Sequence, residues 1–190
     1  MIERAVSLGI RISLGHHLAD AQAIEAAVRA GAVASTHLGN GIPNLIPRHD
    51  NPLWPQLAAD SLSAMLITDG HHLPPSFIAA VIKAKGADGV IVVSDAAPIA
   101  GFQPGEHRTL GQQVVLEVSG RLWNPVGRHL VGSSASMLDC MNHLAGLNLL
   151  TGSQLRQVGR DNPLRLIGAD SGGQAESPEV RFESGRFVLN

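Results

Sequence analysis

Gly89-Val90-Ile91-Val92-Val93-Ser94-Asp95 is the stretch from which the architecture follows. Its four consecutive β-branched residues favour extended backbone, and a run that is apolar on both faces suits a strand covered on both sides. Such strands belong to parallel sheets, whose members need crossover helices between them. Upstream, the same rhythm occurs three more times. Ser63-Ala64-Met65-Leu66-Ile67-Thr68 leads to Pro74-Pro75, and proline suits the first turn of a helix. Ala32-Val33-Ala34-Ser35-Thr36-His37 leads to a long loop rich in Gly, Pro and Asn and then to a short helix at about 54–60. Gly9-Ile10-Arg11-Ile12-Ser13-Leu14 leads to a helix at about 20–29. Asp20 can cap that helix, Ile24, Ala27 and Val28 recur at helical spacing, and Gly31 suits the turn that ends it.

Downstream of residue 95 the rhythm changes. Residues 113–122 alternate in polarity and contain Ser119-Gly120, the signal of a hairpin inserted in a loop. Ser134 is expected to cap a helix over about 135–147, and Thr151 another before Asp161-Asn162-Pro163. Val180-Arg181-Phe182 and Arg186-Phe187-Val188-Leu189 flank Ser184-Gly185, a second hairpin signal. Strand–helix alternation implies a parallel α/β sheet. Four units make half of an eightfold barrel or a small open sheet, and the pattern alone does not separate these. The expected division is a body over residues 1–170 and a tail over 171–190.

The chain has 190 residues, 44% hydrophobic and 16% charged, which is the composition of a globular protein. A net charge of −2 without any Lys/Arg block offers no footprint for nucleic acid or an anionic membrane surface. No apolar run approaches the roughly 18 residues that a membrane span requires. The first residues, Met1-Ile2-Glu3-Arg4-Ala5, lack the pattern of a secretory leader, so the cytoplasm is the expected location. Cys140 is the single cysteine, which excludes an intramolecular disulfide and a thiolate metal cluster; it reads as a small core residue on a helix. There are nine histidines and no tyrosine, with His16-His17 and His71-His72 as pairs.

In barrels and open α/β sheets, ligands bind beyond the carboxyl ends of the strands. The polar residues that end the four runs are His16, His37, Asp69 with His71-His72, and Asp95. Every strand therefore delivers a ligand-capable or proton-handling side chain to one edge. His16 and His37 can present two imidazoles to a metal, for which zinc would want a third protein ligand and an open position. Asp95 can take a proton from a water that a divalent ion acidifies. Each residue also has an ordinary reading, as a hydrogen-bonded loop histidine or a helix-capping aspartate; the coincidence at four strand ends favours chemistry. Arg48, in the long second loop, can fork onto a phosphate or carboxylate. Asn40 between two glycines can offer its amide or make the turn. Leu130-Val131-Gly132-Ser133-Ser134 precedes an expected helix, so its backbone N–H groups can face an anion or hydroxyls, or the glycine and serines simply cap the helix. His17, His49, His107, His129 and His143 fall in no constellation and read as structural or exposed.

Ser13-Leu14-Gly15-His16, Thr36-His37-Leu38-Gly39-Asn40-Gly41, Asp69-Gly70-His71-His72 and Val93-Ser94-Asp95-Ala96-Ala97-Pro98-Ile99-Ala100-Gly101 resemble successive motifs of the N-acetylglucosamine-6-phosphate deacetylases, with the segment 130–134 following. The order is that family's, and so are the intervals of 21 residues from His16 to His37 and of 11 and 35 from His37 to Arg48 and His72. The likeness runs from about residue 5 to 170. It implies the C-terminal half of a distorted (β/α)8, TIM-like barrel of the amidohydrolase superfamily, acting on N-acetylglucosamine 6-phosphate to give glucosamine 6-phosphate and acetate. By that resemblance His16 and His37 bind one divalent metal ion, zinc first, with iron, manganese or cobalt as alternatives. Asp95 is the catalytic aspartate, and His72 contacts substrate and polarises the acetyl carbonyl. Asn40, Gly41 and Arg48 surround the sugar phosphate, and Val131 and Gly132 line the sugar.

The departures shape the remaining expectations. Gly39 stands where the family has an aromatic residue and Gly41 where it has alanine, which would loosen the pocket. The family's metal-binding glutamate belongs to an N-terminal half that this sequence does not contain. A half-barrel leaves two unpaired strand edges, so the expectation is a homo-oligomer or association with the missing half. The alternatives are an amidohydrolase acting on another amide, a cyclic amide or a deaminated base, and a catalytically incomplete remnant that binds a ligand or partner.

Overall fold

The computed structural model describes residues 1–169 and 180–189. Helix α1 (Ile2–Ser7) precedes β1 (Ile12–Leu14), and α2 (Ala21–Arg29) connects it to β2 (Ala32–Ser35). Helix α3 (Leu53–Ala58) leads to β3 (Ser63–Ile67), and α4 (Pro75–Lys85) leads to β4 (Val90–Val93). The four strands form one sheet in the order β1-β2-β3-β4, every pair parallel. The four runs read from sequence are therefore four strands, shorter by one to three residues at their ends. The sheet is open, with β1 and β4 as edges. This mixed α/β sheet carries the fold expectation in its general form.

The helices form where the local chemistry favours them. The Asp20 carboxylate accepts the Ala23 N–H at 2.8 Å, which satisfies one orphan donor of α2. Prolines 74 and 75 open α4, where a missing N–H costs nothing. Ile78 and Val81 of α4 are fully buried against Ala64 and Leu66 of β3 and Val90 and Val92 of β4. On the same face lie α5 (Met137–Gly146), α6 (Gly152–Arg156) and the π-helical turn Gln157–Asp161, contributing Cys140, Leu144, Leu155 and Val158. A smaller cluster packs Ile24 of α2 and Leu62 onto Ala32, Ile12 and Leu14. Cys140 is fully buried on α5, and burial pushes its thiol up to about 12, so it is a core residue and no thiolate ligand.

Helix α5 begins later than the sequence suggests. Ser134, expected as its cap, spends its hydroxyl on the Gly120 carbonyl, and Ser136 caps the helix in a reciprocal box with Asp139. Thr151 caps α6 as expected, in a second box with Gln154. The inserted hairpin is larger than the sequence suggests: β5 (Gly105–Thr109), β6 (Gln112–Leu116), β7 (Leu122–Asn124) and β8 (His129–Leu130) make an antiparallel sheet. It has its own core of Ile99, Val114, Leu116, Leu122 and Val131. After α7 (Asn162–Ile167), β9 (Val180–Glu183) and β10 (Arg186–Leu189) pair around Ser184-Gly185. This second hairpin docks on α5, where Asn142 exchanges two hydrogen bonds with the Phe187 backbone. The expected boundary at residues 170–171 lies outside the described residues. Among the described residues no helix is long and apolar enough to cross a membrane.

Candidate active site at the strand ends

Two residues beyond each parallel strand, the chain presents a chemically active side chain: His16 after Leu14, His37 after Ser35, Asp69 after Ile67 and Asp95 after Val93. Three of the four hold a left-handed backbone, with φ of 50° at His16, 30° at His37 and 50° at Asp95. At the third position the turn is made by Gly70, at φ 82°. A non-glycine residue with positive φ carries a backbone cost on the order of 1–3 kcal/mol, and such residues gather at functional sites. The repeated turn aims four side chains at the carboxyl edge of one sheet.

His16 and His37 meet edge to face, with ring centroids 4.6 Å apart. His37 is 7% exposed, and its Nδ1 is buried without a hydrogen-bond partner among the described residues. Burial lowers the pKa of His37; the neighbouring His16 and His72 act in the same direction, while the nearness of its own backbone and of the Asp95 carboxylate opposes it. His37 is therefore held neutral, the form that donates a lone pair to a metal. An orphaned buried nitrogen beside a second imidazole fits a cation ligand pair. Among the described residues no group of three or more His, Cys, Asp or Glu is placed to hold a metal.

His72 lies beside the pair, close enough for its charge to reach His37. Its Nδ1 is 2.8 Å from Asp69 Oδ2, and both side chains are nearly fully buried. Asp95 is solvent-exposed at the end of β4. An open groove of about 550 Å³ runs along the free edge of β4, touching Asp95, Met137 and Pro163. None of the histidines lines it, so the groove and the histidine cluster meet only at Asp95.

The remaining sequence-derived residues are distributed as follows. Asn40 sits in the turn after His37, its N–H and its amide both donating to the His37 carbonyl. Gly41 lies where a Cβ would come 2.8 Å from His16 N and 3.2 Å from His37 Cε1. The expected loosening of the pocket at Gly41 is therefore not what the structure contains: the His16 backbone occupies the space. At Gly39 the Phe77 ring does the same, 2.9 Å from a Cβ position. We expect Gly41→Ala to displace the His16 backbone, and any affinity of the His16–His37 pair for an added divalent ion to fall by about tenfold or more, read by calorimetric titration. Unchanged affinity would show that the loop yields freely.

Arg48 is exposed in the long loop, and its guanidinium has no partner among the described residues; its carbonyl accepts from Trp54 Nε1 and Asn51 Nδ2. Val131 is buried and Gly132 packs against Asp95, with a would-be Cβ 3.0 Å from the Asp95 carbonyl oxygen. The segment 130–134 does not offer free N–H groups at a helix start as expected. Ser133 N–H donates to the Asp95 carbonyl at 2.8 Å, and the helix begins only at Met137. Of the histidines set aside, His17, His107 and His129 make ordinary local hydrogen bonds and His49 is exposed. His143 packs behind Gly70 with Nε2 buried and unpartnered among the described residues. Sequence reading gave no role to Ser133 and left Asp69 unassigned. The constant two-residue offset from each strand end is the signal that singles out Asp69.

The N-acetylglucosamine-6-phosphate deacetylases of Mus musculus and Homo sapiens are 32% and 34% identical to this chain over 179 residues, 90% of it. The chain is related to the N-acetylglucosamine-6-phosphate deacetylases. It spans 42% of the length of these curated relatives. An N-acetylgalactosamine-6-phosphate deacetylase of Shewanella sp. is 32% identical over 166 residues, covering 87% of this chain and 42% of that protein. The solved deacetylase of Pasteurella multocida shares the fold with a TM-score of 0.84, at 22% identity over the whole chain and 53% of its own. That of Thermotoga maritima gives 0.80 at 25% identity, over 88% of this chain and 46% of its own. No family model matches the chain.

Proposed function

We propose that this chain carries the proton-handling part of a metal-dependent hydrolase that removes the acetyl group of an N-acetylhexosamine 6-phosphate. The observation that supports this reading most is the delivery of His16, His37 and Asp95 to one edge by the same two-residue offset and left-handed turn. In this reading His16 and His37 hold one divalent cation, zinc first and iron, manganese or cobalt as alternatives. When bound, that cation supplies Lewis acidity, which polarises a carbonyl and acidifies water.

Asp95 takes the proton of the attacking water and returns it to the leaving nitrogen. His72 turns Nε2 toward the acetyl oxygen and donates from it when the ring carries its second proton, as negative charge develops there. Asn40, Gly41, Val131 and Gly132 border the sugar, and the exposed Arg48 fork takes the phosphate. The open sheet is one half of a closed barrel, and a third metal ligand comes from outside these 190 residues, from an N-terminal half or a second copy. This work belongs to the cytoplasm, where sugar phosphates are kept.

The test is release of free amine from N-acetylglucosamine 6-phosphate with added zinc, with and without a chelator. The Shewanella relative favours running the galacto epimer beside it. Arg48→Ala should raise KM for the phosphorylated substrate by roughly tenfold to a hundredfold, the 1.5–3 kcal/mol of a charged hydrogen bond. Equal turnover of phosphorylated and unphosphorylated substrate by the unaltered protein would instead assign the site to another amide.

A further inference from the structure

We infer that Asp69 and Ser133 form a buried clamp that fixes His72 in its Nδ1–H tautomer and leaves Nε2 as the working nitrogen of the ring. Asp69 accepts four hydrogen bonds. Oδ1 takes the N–H groups of His71 at 2.9 Å and His72 at 3.0 Å, while Oδ2 takes His72 Nδ1 at 2.8 Å and the Ser133 hydroxyl at 3.0 Å. The side chains of Asp69 and His72 are 2% and 6% exposed, so water does not compete for these bonds. Ionised carboxylate oxygens only accept, so the nitrogen facing Oδ2 carries the proton.

Burial alone would raise the pKa of the Asp69 carboxyl, yet the hydrogen bonds from the His72 ring and from the two backbone N–H groups hold it well below the usual carboxylate range. The anion that orients the ring is thus maintained. Ser133 ties the clamp to the next strand end, because its N–H donates to the Asp95 carbonyl at 2.8 Å and its own carbonyl accepts from Ala97 at 2.7 Å. Asp69 and Ser133 are positioning residues, since neither reaches the histidine pair directly, and they set His72 and Asp95 relative to each other.

A purely structural role for Asp69, as the acceptor that closes the 69–72 turn, makes a different prediction from a tautomer clamp. In Asp69→Asn the amide oxygen can still accept both backbone N–H groups. Its NH2 would then face His72 Nδ1 and Ser133 Oγ as a donor, which demands a bare Nδ1 and moves the ring proton to Nε2. Nitrogen-15 NMR of the full chain, at a pH where the ring is neutral, reads this directly, with the His72 signals assigned by their loss in His72→Gln. The expected result is Nδ1–H in the unaltered protein and Nε2–H in Asp69→Asn. An Nε2–H ring in the unaltered protein, or the same tautomer in both, overturns the inference. Should Asp69→Asn fail to fold, the unaltered protein still decides by its own tautomer.

In its catalytic consequence the inference rests on the deacetylase reading: Asp69→Asn should lower kcat by about tenfold or more with KM within a few fold. The NMR result needs neither metal nor substrate. A failed tautomer test therefore refutes the clamp, an unchanged kcat in Asp69→Asn with the tautomer as expected removes the clamp from catalysis, and no turnover by the unaltered protein with an assembled site refutes the deacetylase reading instead.

Discussion

Asp95→Asn should reduce deacetylation by about 10²–10⁴-fold, the range that a general acid–base group contributes, while leaving the fold in place. Both halves of that expectation come from one backbone feature. Asp95 has φ of 50°, and asparagine is among the few residues that accept this region as readily as aspartate. The part of Asp95 that holds the structure together is its carbonyl, which accepts from Ser133 N–H, and that group is unchanged. Its carboxylate is exposed at the strand end, so its loss uncovers no buried partner. The measurement is kcat in enzyme with an assembled site, together with thermal melting of the variant. Turnover near that of the unaltered protein would remove Asp95 from the proton path. A large drop in melting temperature would place its role in the fold instead.

The strands were legible because their composition reports burial directly. Val90-Ile91-Val92-Val93 is apolar on both faces, and the structure covers it on both. The strand-end residues were legible for a related reason: a polar residue straight after an apolar run is topologically forced to the sheet's carboxyl edge. What lies beyond one strand's reach was harder. Ser134 and Ser136 are equally good caps by residue type, and only Asp139, three residues past Ser136, distinguishes them. Strand β5, Gly105–Thr109, is polar and largely exposed; it is a strand only because β6 pairs with it. The Ser133–Asp69 bond spans 64 residues of chain and carries no local signature. The same holds for the collision of Gly41 with His16, which turns an expected vacancy into a close contact.

His37→Leu should abolish the stabilisation of this chain by zinc while leaving the metal-free protein about as stable as before. Most substitutions at a buried position are destabilising, so this combination separates a ligand from a core residue. His37 buries a ring nitrogen, Nδ1, without a partner among the described residues, and an unsatisfied buried polar atom costs about 1–3 kcal/mol. Leucine removes that atom and keeps most of the volume. Against this gain stand the positive φ of 30° and a changed shape, each roughly 1 kcal/mol. The two sides nearly cancel. Zinc at a hundredfold over its dissociation constant stabilises the folded state by about 2.7 kcal/mol, a rise in melting temperature of roughly 5–10 °C for a chain of this size. That rise should be present in the unaltered protein, reversed by chelator and missing from His37→Leu. If the unaltered protein shows no rise, His16 and His37 alone do not hold the ion, and a third ligand is required for binding as well as for turnover. If the rise persists in His37→Leu, the cation sits elsewhere and the edge-to-face pair is a packing contact. A metal-free variant that melts far below the unaltered protein would mean that Nδ1 is satisfied by an ordered water, and that His37 serves the fold before it serves a metal.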